Sequence, residues 1–327
     1  MFRTLTCFAC LLFATVFIVV CAQGATTETG ITFESHGHEM GILVDGAPFA
    51  TYVWEDDVLP RPYFAQLHAP GGEQVTRNYP PHPVHDRGND DHGTYHPGLW
   101  LAFGDINGAD FWRLQARVRH IKFLESPVCE KGVATFTVLN QYEGGDGKEI
   151  CRERCRYTLR KTEWGFLLQS ESTFIAGEHD VRFGDQEEMG LGFRLATDLR
   201  VAHGDGTLRN SAGGENEKGT WGKEAAWCAG YGVRGANYVG AILMPHPDNF
   251  RGSWFHSRDY GLVTANPFGK KAMTGPHDGD VKADSTLVKK GETLELAFGV
   301  GFFSLLSQQD VPLEAMYRDY LKKLAAP

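Results

Sequence analysis

The chain has 327 residues, with 32 basic and 41 acidic side chains, a net charge of −9 and 42% hydrophobic content. That balance, with no clustered basic run, excludes the electrostatic footprint of a nucleic-acid binder. No stretch after the N-terminus is long and apolar enough to span a bilayer as a helix.

The chain opens on Arg3, an apolar run over residues 7–20 and the stretch CAQGA. This is the layout of a secretory signal peptide. Residues 1–24 are expected to be a leader and 25–327 a single β domain, secreted or periplasmic and free of the membrane after cleavage. Cys129, Cys151, Cys155 and Cys228 then remain, too few for a disulfide scaffold but enough for one or two bridges. Cys151 and Cys155, four apart on a predicted strand, face the same side and are expected to find partners elsewhere rather than each other.

Strand and turn signals dominate the rest of the chain. "GILVDGAPFATYVW" predicts a hairpin about Asp45-Gly46. Residues 60–98 are irregular and proline-rich, a long loop of the kind that usually carries function. His82, His85, His92 and His96 crowd this loop and its exit, with Asp86, Asp90 and Asp91 among them. Such a group can hold a divalent metal, but Pro97 and nearby glycines remove the helical meaning of the His92–His96 spacing. No cofactor is predicted; a metal at this loop stays open, as does the plain reading of a solvated loop. His96 immediately precedes the apolar strand "PGLWLAFGD" and should stand at a sheet edge. Asp105 lies at that strand's far end, where "GDINGADFW" also reads as a turn in which Asp and Asn bond their own backbone.

"CRYTLRKTEWGFLLQSESTFIAG" predicts a second hairpin bending at residues 162–165. "GDQEEMGLGFRLA" places Glu187 and Glu188 before a strand; neighbouring carboxylates on a strand point to opposite faces, so at most one is expected to face a pocket and the other to be a surface charge. Trp221, in "TWGKEAAWC", is a sugar platform or core. "SWFHSRDYGLVTANPFG" sets His256 and Arg258 on one strand face, with Asn266 near its end; an Arg–Asp ion pair with Asp259 is the structural alternative. "TLVKKGETLELAFGVGFF" predicts a third hairpin about Lys290-Gly291. A single helix closes the chain: Asp310 can cap it, Pro312 suits its first turn, and Leu313, Met316, Tyr317, Tyr320, Leu321 and Leu324 share one face. The fold class expected is an all-β, large antiparallel sandwich with a C-terminal helix.

Five blocks, residues 61–77, 96–112, 184–196, 221–228 and 254–269, occur in an order that resembles the bacterial PmoA-like family, a domain of unknown function labelled "methane oxygenase PmoA". Many relatives read H-R-G-L-W where this chain has His96-Pro97-Gly98-Leu99-Trp100. The resemblance implies an extracytoplasmic protein accompanying carbohydrate catabolism, with a sandwich similar to that of aldose mutarotases. A membrane monooxygenase subunit is excluded by the lack of transmembrane helices.

The expected function is a secreted carbohydrate-active enzyme, a hydrolase, lyase or epimerase using acid/base chemistry. His96, His256, Glu187 and Asp105 are the catalytic candidates, and Arg77, His92, Arg258, Trp221 and Asn266 the substrate-binding ones. Glu187 with Asp105 is the carboxylate pairing that glycoside hydrolysis would need. The alternative is a non-catalytic glycan-binding sandwich in which Trp100, Trp112 and Trp221 stack sugars. Oligomeric state is not legible.

Overall fold

The computed structural model describes residues 30–275, 284–307 and 310–324; the expected leader lies outside them. In chain order the strands are Ile31–His36 (β1), Glu39–Val44 (β2), Ala47–Val53 (β3), Tyr63–Ala65 (β4), Leu99–Phe103 (β5), Arg117–Glu130 (β6), Val133–Glu143 (β7), Glu149–Lys161 (β8) and Gly165–Ile175 (β9). They continue with Val181–Phe183 (β10), Met189–Arg194 (β11), Thr207–Asn210 (β12), Glu224–Ala225 (β13), Cys228–Arg234 (β14), Asn237–Pro245 (β15), Ser253–Arg258 (β16), Leu262–Asn266 (β17), Thr286–Val288 (β18) and Thr293–Leu306 (β19). Two short helices, Asn216–Thr220 (α1) and Lys270–Thr274 (α2), precede the closing helix Leu313–Leu324 (α3).

The strands form a nine-stranded sheet in the order β1-β2-β3-β4-β5-β11-β17-β16-β13, an eight-stranded sheet in the order β12-β14-β15-β19-β9-β8-β7-β6 and a separate pair, β10-β18. Every strand pairing among the described residues is antiparallel. The sheets pack face to face because alternate residues of each are apolar. Phe49 packs edge-on against Phe302 (5.6 Å), Tyr52 lies 5.2 Å from Phe136, and Phe103 packs edge-on against Phe174 (5.4 Å). The expected sandwich is therefore what the chain adopts.

Two predicted hairpins form, through local turn chemistry. Asp45 (φ 52°) and Gly46 (φ 78°) both occupy the left-handed region that a two-residue turn between twisted strands requires. Thr162 closes the β8–β9 turn through its Oγ1, which accepts from the Gly165 amide at 3.0 Å. The third hairpin does not form. Although Lys290-Gly291 turns the chain, β18 pairs with β10 and β19 pairs with β9 and β15. The helix behaves as its period implies: Leu313, Met316 and Tyr320 are buried against Trp164, Trp227 and Phe303 on the outer side of the eight-stranded sheet. Gly299 makes room for it, since a Cβ there would come within 2.6 Å of the Tyr320 ring. No bridge forms among the described cysteines: Cys151, Cys155 and Cys228 are buried free thiols and Cys129 is exposed.

The register of the nine-stranded sheet lays out the candidate site. Trp100, Gly192, Thr264 and His256 sit opposite one another across β5, β11, β17 and β16. Side chains of this row point away from the sandwich core. The long loop of residues 60–98 and the turn after β5 fold back over this outward face, burying Trp100 and Trp112 with Tyr63 and Leu262.

Candidate active site

Four arginines carry the loop over the sheet. Arg77, fully buried, donates from Nη1 to the carbonyls of Asn89 (2.6 Å) and Asp91 (2.8 Å), and from Nη2 to those of His92 (3.4 Å) and His96 (3.1 Å). Arg194, at the end of β11 and also fully buried, reaches the Asp91 carboxylate (2.6 Å) and the Asn89 side chain. Its guanidinium stacks 4.1 Å above the Tyr260 ring. Arg200 donates to the Gly88 carbonyl (2.6 Å), and Arg61 to those of Phe111, Trp112 and Tyr95. A loop without regular structure cannot satisfy its own carbonyls, and the five donors of a guanidinium do so in its place. Burial brings Arg61 down to about 9 and Arg77 to about 10, and lowers Arg194 as well.

The loop so fixed presents His92. Its Nδ1 lies 2.6 Å from Asp91 Oδ2, and Asp91 is itself held by Arg194. The His92 ring is flanked by His96 (5.1 Å, stacked) and by Tyr260 (6.1 Å, stacked). Its side chain remains 46% exposed, and among the described residues no hydrogen bond engages Nε2. His92 stands at a φ of 50°, an uncommon conformation for a residue with a Cβ.

His96 and His256 lie on the same outward face and both touch Trp112, at 5.8 and 6.5 Å between ring centroids. Both are buried. His96 is stacked on Trp100 at 5.0 Å, and its Nδ1 accepts from Arg194 Nη1 at 3.2 Å, so Nε2 carries its proton. In His256 the Nε2 accepts from Arg258 Nε (3.2 Å), and Nδ1 therefore donates to the Glu187 carbonyl (3.1 Å). Burial, reinforced by the neighbouring arginines, holds His96 well below the usual imidazole range and brings His256 to about 3. Both rings are neutral at physiological pH.

Glu187 and Glu188 precede β11 in an irregular segment, so strand alternation does not separate them, contrary to the sequence expectation. Glu187 faces Arg258 (3.5 Å), which also bonds Glu217 (2.8 Å) and lies 5.4 Å over the Trp221 ring. Glu188 pairs with Arg113, which Asp110 holds at 3.1 Å. Burial raises the Glu188 carboxyl above its ordinary value; Arg113 and His92 oppose that shift, while Glu187 and Asp110 add to it. One mouth thus collects His92, Glu187, Glu188, Arg113 and Arg258 from four separated segments.

Besides the buried His96 and His256, three candidates fall outside it. Arg77 offers no accessible donor, since it is fully buried and its terminal nitrogens bond loop carbonyls. Asn266 is equally buried: its Nδ2 bonds the Gln186 (2.7 Å) and Glu187 carbonyls, and its Oδ1 accepts from the Phe268 and Gly269 amides. Asp105 accepts from the Gly108 amide (2.8 Å) in the turn after β5, and its carbonyl accepts from the Gly184 amide (3.0 Å). It does not pair with Glu187. Asp259 is not the ion-pair partner of Arg258 but accepts from the Glu217 amide (2.7 Å). Trp100 and Trp112, 1% exposed, offer no face for stacking. His82 and His85 lie together on the exposed part of the loop, rings 4.4 Å apart, and no group of three His, Cys, Asp or Glu among the described residues is arranged to hold a metal. Arg194, Arg113 and the Asp91–His92 pairing escaped sequence reading. A lone arginine in "GFRLA" carries no signal of the loop it will bond.

Residues 39–311 match the family of unknown function DUF6807. The chain belongs to that family. This overturns the resemblance to a PmoA-like family: the blocks that suggested it lie inside the matched DUF6807 span, and no PmoA-like family is found. No curated protein matches the sequence. Among solved structures, a galactose mutarotase-like protein from Lactobacillus casei is 11% identical, aligning 84% of this chain with 100% of that one at a TM-score of 0.35. A galactose mutarotase-like protein from Clostridium acetobutylicum is 9% identical over 85% and 99%, also at 0.35. A TPR-domain containing protein from Parabacteroides distasonis is 8% identical at 0.37, and this chain, aligned over 84%, spans about half of it (49%). At such identities and scores the likeness says nothing of function.

Proposed function

We propose that this DUF6807 protein is an exported carbohydrate-active enzyme working by acid/base chemistry at the mouth above the nine-stranded sheet. The observation that carries the reading is the Asp91–His92 pair. A carboxylate fixed by Arg194 accepts from His92 Nδ1, two rings flank the imidazole, and Nε2 is left to take a proton; a base oriented by a third group is the arrangement such chemistry uses. Glu188, whose burial favours its protonated form, supplies the complementary acid, because unequal environments push acid and base apart. Arg258 and Arg113 stand where a carboxylate or developing negative charge needs donors, and the Trp221 ring borders the same mouth.

His96 and His256, neutral and bonded at the nitrogens described, hold His92 and Glu187 in place and do not themselves exchange protons. The competing glycan-binding reading loses its stacking row, since Trp100 and Trp112 are covered. The test is a panel of mono- and oligosaccharides, read for new reducing ends, unsaturated products and epimers. His92→Gln and Glu188→Gln should each lower turnover roughly 10²-fold or more while the fold melts at an unchanged temperature. Absence of turnover across the panel, or full activity in both variants, would overturn the proposal.

A further inference from the structure

The outward face of the eight-stranded sheet is only half covered. Beside α3, two adjoining hollows of about 830 and 310 Å³ lie over β7, β8, β9 and β19 and share Arg156, Glu171 and His246. One wall is the far half of β6, whose pairing with β7 shifts register three times between His120 and Val128. Such shifts bend a strand out of the sheet plane. The C-terminal end of α3, at Lys323 and Leu324, lies against the larger hollow.

The floor is set by the alternation of β8. Glu153 and Cys155 turn into the core, while Arg154, Arg156, Thr158 and Arg160 turn outward at intervals of about 6.7 Å. Among the described residues, only Arg156 of the three arginines has an ion partner, Glu125 at 3.9 Å. Arg154 and Arg160 make no hydrogen bond or ion pair among the described residues. Gln169, opposite Thr158 in register, is 5% exposed, yet among the described residues its Oε1 has no hydrogen-bond partner and the enclosed Nε of Arg160 has none either. Enclosed donors and acceptors are normally satisfied, so an adjacent unsatisfied pair on a groove floor marks where an external polar group would bond.

We propose that this groove binds an acidic oligosaccharide, with Arg154 and Arg160 on sugar carboxylates and Gln169 on a hydroxyl. The anionic element rests on the two uncommitted arginines. Glu125, Glu130 and Glu171 in the larger hollow, and Asp248 and Glu295 with Arg154 in the smaller one, also line the groove; they keep its charge low and disfavour a densely charged polymer, whereas carboxylates spaced by hydroxyls suit mixed donors and acceptors. That the ligand is a sugar rests on the function proposed for the opposite face.

Calorimetric titration of the mature protein with oligogalacturonate, against a neutral oligosaccharide of equal length, tests this. The acidic oligomer should bind and weaken with added salt, and Arg154→Gln/Arg160→Gln should weaken it tenfold or more; the neutral one should not bind. No binding by the wild type, equal binding of the neutral oligomer, or an unchanged double variant would each overturn the groove. Arg154→Gln alone, an exposed change, gives the same reading if the double variant misfolds. Turnover at the opposite face should be unchanged in these variants. A wild type that binds through these arginines but turns over no sugar would sink the enzyme and leave the groove standing.

Discussion

The two outward faces of the sandwich use arginine in opposite ways. Above the nine-stranded sheet, Arg61, Arg77, Arg194 and Arg200 are buried, and their terminal nitrogens bond loop backbone or Asp91. Across the eight-stranded sheet, Arg154 is exposed and Arg160 half-buried, and neither is bonded among the described residues. The first set builds a surface and the second is one. An arginine therefore indicates a ligand only after its internal partners have been counted: Arg77 lies in the motif-like segment and serves only the chain, while the arginines of "CRERCRYTLRK" look like ordinary strand polarity.

The largest expected effect comes from breaking the first kind. Arg77→Met removes the donor from four carbonyls under the loop and leaves Asp91 with one fewer positive neighbour. Urea unfolding should show a loss of about 3–5 kcal/mol, the range for removing one side of a buried charged network. Arg77→Lys should rescue little, because an ammonium cannot span the fork. A loss below about 1 kcal/mol, the worth of one ordinary hydrogen bond, would show that the loop does not depend on this arginine.

Legibility in the sequence divides in the same way between local and distant causes. Asp45-Gly46, the bend at residues 162–165 and the closing helix are legible because turn chemistry and periodicity act within a few residues. The hairpin expected about Lys290-Gly291 is absent because β18 finds β10 more than a hundred residues earlier. The segments holding His92, Glu187 and Arg258 are legible as unusual. The roles of Arg77 and Asn266 are not, since they depend on carbonyls that reach them only in the folded chain. Glu187 and Glu188 are set on opposite faces by a strand rule that starts to apply only at Met189.

A second test concerns acid. His256 has a depressed folded value of about 3 against an unfolded value near 6.5. Its contribution is present above the unfolded value and is lost as pH falls from there toward 3, because the unfolded chain gains a proton that the folded one refuses. His96 acts in the same direction. The wild type should therefore lose stability between pH 6.5 and 4 more steeply than His256→Gln, measured by melting temperature at fixed ionic strength. Parallel curves would mean that the ring is not buried in its neutral form.

The interior gives a smaller effect of opposite sign. Glu153, on the inward face of β8, is 3% exposed and accepts from Ser172 (2.5 Å), Asn140 (3.1 Å) and Tyr142 (3.4 Å), while Asn140 Oδ1 has no hydrogen-bond partner among the described residues. Burial raises its carboxyl. The cost of ionising it is absent below the unfolded value and grows as pH rises toward the folded one. Glu153→Gln removes that cost, and with Asn140 rotated its amide can satisfy Asn140 Oδ1. Stability at pH 7 should rise by about 1 kcal/mol, with little change at pH 4. A fall at pH 7 would show that the three donors more than offset burial of the charge.

The smallest expected effect is on the other outward face, and it sharpens the comparison most. Arg154 lies two residues beyond Arg152 on the same side of β8, and among the described residues only Arg152 of the two has an ion partner, Glu149 at 2.9 Å. Replacing Arg154 by Gln removes an exposed charge that bonds nothing, keeps a side chain of similar reach over the strand, and leaves Thr173 and Leu139 as its cross-strand neighbours. Unfolding free energy should stay within about 0.5 kcal/mol of the wild type, against several for Arg77→Met. A loss of about 2 kcal/mol or more would mean that Arg154 is already committed within the fold. The groove would then be scaffold like the opposite face, and the contrast between the two sets of arginines would disappear.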